Sequence, residues 1–195
     1  MEGIPTIGPK ELAGVPFLAG EKLDTPPVPF SNDVCAAHKG THILVFTPRI
    51  KKFTLVGMRE AFGTDPSKSE PCMYDQDWYL KEEFASLPPD GKWHLVRKEV
   101  LEDARAKEPT DIEKSLSGEV FPKAVTLAFT FFVWHFLHKE ALWKHDFLWC
   151  SDLDHNGDRV YVGRYEDPTG VNKNGFNIHR HLSLRPAYSA APEVR

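Results

Sequence analysis

The sequence predicts an α+β domain in which helices and a small antiparallel sheet share one core. Three observations carry this. Helical patterning dominates up to about Lys139, and short strand-like runs follow it without the strand-helix alternation of a parallel sheet. The chain has 195 residues, of which 41% are hydrophobic and 12% aromatic, which is enough for one well-filled core and too little for two ordinary domains. Neither GxGxxG nor GxxxxGK[ST] occurs, so no phosphate cradle of a nucleotide-binding fold is encoded.

Residues 1–40 read as a proline-rich arm that packs on or flanks the domain, and residues 41–195 as the domain itself. Six of the sixteen prolines fall in the first thirty residues, where they remove ladder donors and helix hydrogen bonds. His42 to Phe46 is the first strand, stopped by Pro48. Thr54 caps a helix from Leu55 to Phe62, and Gly63 ends it. Gly63 to Pro71 is a polar loop, and Asp75 to Ser86 reads as a helix. Pro88 to Gly91 forms a turn before a strand from Trp93 to Val100. Thr110 with Glu113 fits a capping box that opens a short helix.

Pro122 suits the first turn of the next helix, which runs to about Lys139. Phenylalanines at 129, 131, 132 and 136 make it the candidate central core helix. Short strands follow at Phe147–Cys150, Arg159–Gly163 and Ser183–Ala187, separated by the turn signals Asn156-Gly157, Pro168-Thr169-Gly170 and Asn174-Gly175.

Net charge is −4 and the isoelectric point near 6.1, so the chain lacks the basic field of a general nucleic-acid binder. The longest apolar run, Ala124 to Leu137, falls short of the roughly 20 residues that span a bilayer. No basic segment followed by an apolar run opens the chain, so a cytoplasmic product is the default expectation, and display on a virion or cell surface is compatible with the same sequence.

Several constellations bear on chemistry. Asp152, Asp154, Asn156 and Asp158 surround Gly157 at the alternate spacing of a calcium loop, but Gly163 stands where a bidentate Glu belongs. A hairpin with positive φ at both Asn156 and Gly157 is the favoured reading, with calcium as the alternative and no other cofactor expected. His135, His138 and His145 border an aromatic run and read as core or boundary histidines. Cys35, Cys72 and Cys150 are widely spaced and odd in number, which fits no disulfide framework. Cys150, with His145 and His155 nearby, is the one arrangement that could serve a cysteine-dependent enzyme, although it lies in an apolar strand with no nucleophile elbow. Tyr161 to His181 mixes Tyr, Arg, Asn, His and Phe in a glycine-punctuated stretch, the composition of adaptable recognition surfaces.

Three stretches, FLWCSDLDHNGDRVYVG (147–163), the block that follows it, and HLSLRPA (181–187), carry a family likeness. This C-terminal third resembles the C-type-lectin fold of variable proteins of diversity-generating retroelements, a branch related to formylglycine-generating enzymes. WHLVRKEV and the helix from Pro122 to Lys139 resemble the corresponding strand and helix of that group. The resemblance implies two main helices, a small twisted antiparallel sheet and long loops, with a variable ligand-binding region at about 147–187. It implies a non-catalytic display protein that recognises a protein or other macromolecule through Tyr161, Arg164, Tyr165, Asp167, Asn172, Asn174, Phe176, Asn177, Ile178, His179, Arg180 and His181. Gly163, Gly170, Gly175, Leu182 and Leu184 would be scaffold. The related oxidases use a cysteine pair near the end of the fold where this chain has Cys150 alone, which separates it from their activity. A calcium-assisted carbohydrate-binding lectin is the second reading that the same fold implies.

Overall fold

A computed structural model of the chain describes residues 3–180 and 184–195. The architecture is mixed α+β, with six α-helices and two small sheets among the described residues. The first sheet has the order β1 (Thr6–Ile7), β2 (His42–Thr47), β3 (Lys92–Arg97), β9 (Glu193–Val194), β4 (Glu119–Val120). The second has the order β7 (Asn177–His179), β6 (Arg159–Gly163), β5 (Phe147–Leu153), β8 (Tyr188–Ser189). The six helices are α1 (Pro9–Leu12), α2 (Asn32–His38), α3 (Leu55–Phe62), α4 (Glu83–Ser86), α5 (Pro109–Ser115) and α6 (Ala124–His138).

The single antiparallel sheet expected from the sequence is therefore two sheets, and each has one parallel pairing, β1 with β2 and β8 with β5. Both parallel partners are two-residue edge strands delivered from far along the chain, so neither leaves a periodic signal. The expected last strand at Ser183–Ala187 is replaced by β8: residues 184–187 carry no strand, and Ser183 lies outside the described residues. The proline-rich arm is an integral part of the core. Ile4, Ile7, Leu12, Val15 and Leu18 are buried in it, and the Trp93 indole N–H donates to the Pro26 carbonyl at 2.8 Å.

Strand β2 is buried at every position, as a continuous apolar run demands. Helix α3 begins and ends where its caps predict: the Thr54 hydroxyl accepts from the Gly57 amide at 3.0 Å, and Gly63 has φ +69°. The expected helix at Asp75–Ser86 is interrupted. A 3-10 turn at Trp78–Lys81 and α4 flank an extended Glu82, whose carboxylate reaches out to His155. The capping box at Thr110 does not form, because Pro109 occupies the first helical position and Glu108 becomes the cap.

Helix α6 is buried on nearly all sides from Ala124 to Trp134, including Thr126 and Thr130, so it is the central core helix. Pro122 lies just outside it, and its cap residue Lys123 supplies no side-chain acceptor. Asp152 of β5 supplies one instead, accepting from the Ala124 amide at 2.6 Å, while the Ser151 amide donates to the Pro122 carbonyl at 2.9 Å. Burial pushes the Asp152 carboxyl up, against the opposing pull of that amide, Lys123 and Arg159. No helix among the described residues is long and apolar enough to cross a membrane.

The C-terminal strand is clamped electrostatically. His94 lies between Asp90, 3.0 Å from Nε2, and Glu193, 2.5 Å from Nδ1. Burial works against its protonation, but hydrogen bonds and charge from both carboxylates prevail and push its pKa up to about 9. Burial likewise opposes ionisation of Asp90, yet His94, Lys92 and Thr47 hold it at about 2.

Two outcomes follow for stability. Because the folded state raises His94 above its ordinary 6.5, its contribution is complete below that pH and disappears as pH climbs through about 9. The unfolding free energy should fall over that window with a slope of up to about 1.4 kcal/mol per pH unit, and His94→Gln should unfold more readily at neutral pH with a flatter profile. Urea titrations at a series of pH values check this. Asp152→Ala should cost about 0.5–2 kcal/mol by leaving the start of α6 uncapped, and Asp152→Asn should recover part of that in the same measurement.

Candidate functional site

The second sheet separates two chemistries by the period of its strands. Leu148 and Cys150 of β5, Val160 and Val162 of β6 and Ile178 of β7 belong to the large core cluster with α6. The opposite face collects Phe147, Trp149, Tyr161 and Tyr188, joined by Ala104, Ile112 and Phe121. Their rings interlock. Phe147 meets Tyr161 and Tyr188 edge to face, each at 5.2 Å, Trp149 meets Tyr161 at 5.0 Å, and His179 stacks on Tyr161 at 5.8 Å.

Over this face opens a cleft of about 430 Å³. Phe147, Tyr161, Tyr188 and His179 form its floor, and Arg164, Asp167, Asn172 and Lys173 form one wall. Tyr74, Asn177 and Arg185 complete the lining. The volume lies in the range of small-ligand sites.

The wall is built by local constraints in the sequence. At the end of β6, Gly163 has φ +113°, and a Cβ there would sit 2.5 Å from the Asp146 carbonyl oxygen, so only glycine fits. Arg164 follows with φ +44°, an uncommon conformation for a side chain of its size. Its amide donates to the Asp146 carbonyl at 2.6 Å, its carbonyl accepts from Asn177 Nδ2 at 3.1 Å, and its guanidinium lies 5.7 Å from the centre of the Phe147 ring.

Asp167 then organises the loop beyond. Its carboxylate accepts from the Thr169 amide and hydroxyl at 2.9 and 2.7 Å, from the Asn172 amide and side chain at 3.1 and 2.6 Å, and from Arg164 Nη2 at 3.1 Å. The bonds from Thr169, with those from Asn172, hold its carboxyl well below the usual range. The Tyr74 hydroxyl donates to the Asn172 side-chain oxygen at 3.5 Å.

Six of the sequence-predicted site residues therefore line one cleft: Tyr161, Arg164, Asp167, Asn172, Asn177 and His179. Recognition through all twelve requires exposed side chains, and that requirement fails at several positions. Tyr165, Phe176 and Ile178 are core residues: Phe176 packs on Phe131 at 4.8 Å, Tyr165 on Phe131 at 5.1 Å, and the Tyr165 hydroxyl accepts from the Cys72 amide. Their apolar rings and branched chain are worth about 1.5–3 kcal/mol each when buried, which outweighs display. Tyr161 is buried except as cleft floor, and Asn177 is a buried brace that donates to the Arg164 and Gly175 carbonyls. Asn174 lies in a separate groove with Glu70, His135 and Glu166.

Arg180 turns away to a buried cluster, where it donates to Asp154 at 2.7 Å and covers the Trp78 ring at 4.7 Å. His181 and Leu182 lie outside the described residues. Phe147, Tyr74, Lys173, Arg185 and Tyr188 were not anticipated as site residues. Of these, only Phe147 had a signal, the alternation of FLWC, which sends Phe147 and Trp149 to one face and Leu148 and Cys150 to the other.

Two of the four side chains of the calcium reading are engaged separately. Asp152 caps α6, whereas Asp154 accepts from the Asn156 and Asp158 amides at 2.9 and 2.8 Å and from Arg180. The connection is a five-residue loop between Leu153 and Arg159, and only Gly157 has positive φ, so the expected two-residue Asn-Gly turn is corrected too. Among the described residues, three metal-type ligands converge at Glu82, Asp154 and His155, and Arg180 pairs with both carboxylates of that group. Cys150 is fully buried, and burial drives its thiol well above the ordinary value, so it holds its proton. Its sequence neighbours are engaged elsewhere through Nδ1, His145 with the Glu166 carbonyl and His155 with Glu82.

Compared with known proteins, the chain matches no family model, no curated protein and no solved structure.

Asp167→Ala should release the loop without unfolding the domain. Amide exchange at Thr169 and Asn172 is expected to accelerate at least tenfold, while exchange in β5 and β6 stays unchanged. Equal acceleration across the sheet would show that the carboxylate supports the whole fold and not the loop.

Proposed function

We propose that the protein is a non-catalytic, C-type-lectin-like binding protein that displays a recognition surface for a protein or other macromolecular ligand, and that this surface is the aromatic-floored cleft and its rim. The observation that carries the reading is the union of a rigid aromatic floor with a wall from one loop, tied down by the hydrogen bonds to Asp167. A loop ordered before binding loses less entropy when the ligand arrives. Val171, within this loop, is 82% exposed and so is accessible to a partner.

The order strand, hairpin and glycine-punctuated loop through β5 and β6 supports the likeness to the variable proteins of retroelements. In that reading the replaceable side chains are Arg164, Val171, Lys173 and His179. Tyr165, Asp167, Phe176 and Ile178 belong to the framework, because they fill the core or tie the loop.

Panning a random peptide library on the purified protein tests the proposal. Enriched peptides should lose at least tenfold in affinity for a Lys173→Glu, His179→Ala variant that melts as the parent does. Peptides that bind parent and variant alike would place recognition elsewhere and overturn the reading.

A further inference from the structure

Resting on the cleft as the recognition site, we infer that the group it accepts is a ring bearing an anion, such as an aromatic carboxylate, with the ring on the aromatic floor and the anion toward Arg164 and Lys173. The first argument is charge. The lining holds three permanent cations, Arg164, Lys173 and Arg185, against the single carboxylate of Asp167, in a chain whose net charge is −4. The local sign is thus opposite to that of the molecule, and the low-dielectric aromatic floor of the cleft concentrates such a field.

The second argument is unused hydrogen-bonding capacity. The carboxylate of Asp167 already accepts five hydrogen bonds within the loop, so it has little left to offer a cationic or hydroxyl-rich ligand. Arg164 is the converse case. Its side chain is 22% exposed, and its guanidinium donates one hydrogen bond, to Asp167, among the described residues and has its Nε buried without an acceptor. A planar fork of five donors with one in use matches a carboxylate or phosphate oxygen pair.

The third argument is placement. Arg164 is held at positive φ by bonds to Asp146 and Asn177 on both sides of its α-carbon, and strain of this kind persists where the surroundings enforce it. That backbone sets the guanidinium above Phe147, next to the floor. A ring lying against Phe147, Tyr161 and Tyr188 would bring a substituent on its edge to the guanidinium. The volume of about 430 Å³ admits one such ring with a short side arm.

The test uses a matched pair of probes, phenylacetate and phenylacetamide, titrated into the full-length protein and followed by amide chemical shifts. Phenylacetate should shift Gly163, Arg164, Asn172 and His179 and bind at least tenfold more tightly than the amide. Arg164→Gln should remove that difference while the amide binds as before. Equal affinity for acid and amide would overturn the anion preference and leave the cleft as a recognition site. Shifts confined to residues outside the cleft, or none with either probe while panned peptides still depend on Lys173 and His179, would overturn the inference that the cleft takes a ring.

Discussion

The register between β5 and β6 is the constraint from which the site follows. Phe147 pairs with Gly163 and Trp149 with Tyr161, so one face of the pair is wholly aromatic and the other is aliphatic and faces α6. A slip by one residue would exchange these faces, exposing Val160 and Val162 and driving Tyr161 against α6. Three anchors prevent it. Gly163 admits no side chain beside the Asp146 carbonyl, Asp154 closes the turn through the amides of Asn156 and Asp158, and Asp152 ties β5 to the start of α6. None of these touches the cleft, yet each sets where its floor lies.

Strand β7 illustrates how a three-residue element can hold a place in the site. It pairs on one side only, with β6, and its other edge would present unsatisfied carbonyls. The Ile178 carbonyl accepts from both Gln76 and the Trp78 indole, which covers that edge. Side chains then fix the strand in three directions: Ile178 into the core, Asn177 across to the Arg164 carbonyl, and Arg180, just beyond the strand, onto Asp154 and Trp78. His179 is left facing the cleft beside Tyr161.

Much of this was legible in the sequence where one local signal decided the outcome. The continuous apolar run of β2, the Thr54 and Gly63 caps of α3 and the aromatic density of α6 each act within a few residues. Legibility failed where a distant partner overrode local preference. Glu82 leaves the helical conformation to meet His155, 73 residues away, and β8 and β9 are too short to show a period. Composition pointed to the stretch that supplies much of the cleft lining but treated that stretch as uniformly exposed. Applying the two-residue period to Asn177, Ile178 and His179 would have separated the buried Ile178 from the cleft-facing His179, whereas the inward turn of Phe176 depends on Cys72 and Tyr74, which bond its backbone from another part of the chain.

Arg164 and Asp167 show why the wall is stable although its central residue is not locally relaxed. A side chain at positive φ costs on the order of 1 kcal/mol or more, and an unsatisfied buried donor on a charged group adds to that. The surrounding bonds oppose this cost by being shared: Asp146 holds the arginine's amide, Asn177 its carbonyl and Asp167 its head group. Asp167 also orders Thr169 and Asn172, so the conformation of Arg164 and that of the loop are fixed by the same carboxylate. A ligand that drew the guanidinium away from Asp167 would remove one of that carboxylate's five hydrogen bonds and leave four. Binding of an anion at Arg164 would therefore reorganise its side chain while the loop that carries Val171 and Lys173 keeps its shape.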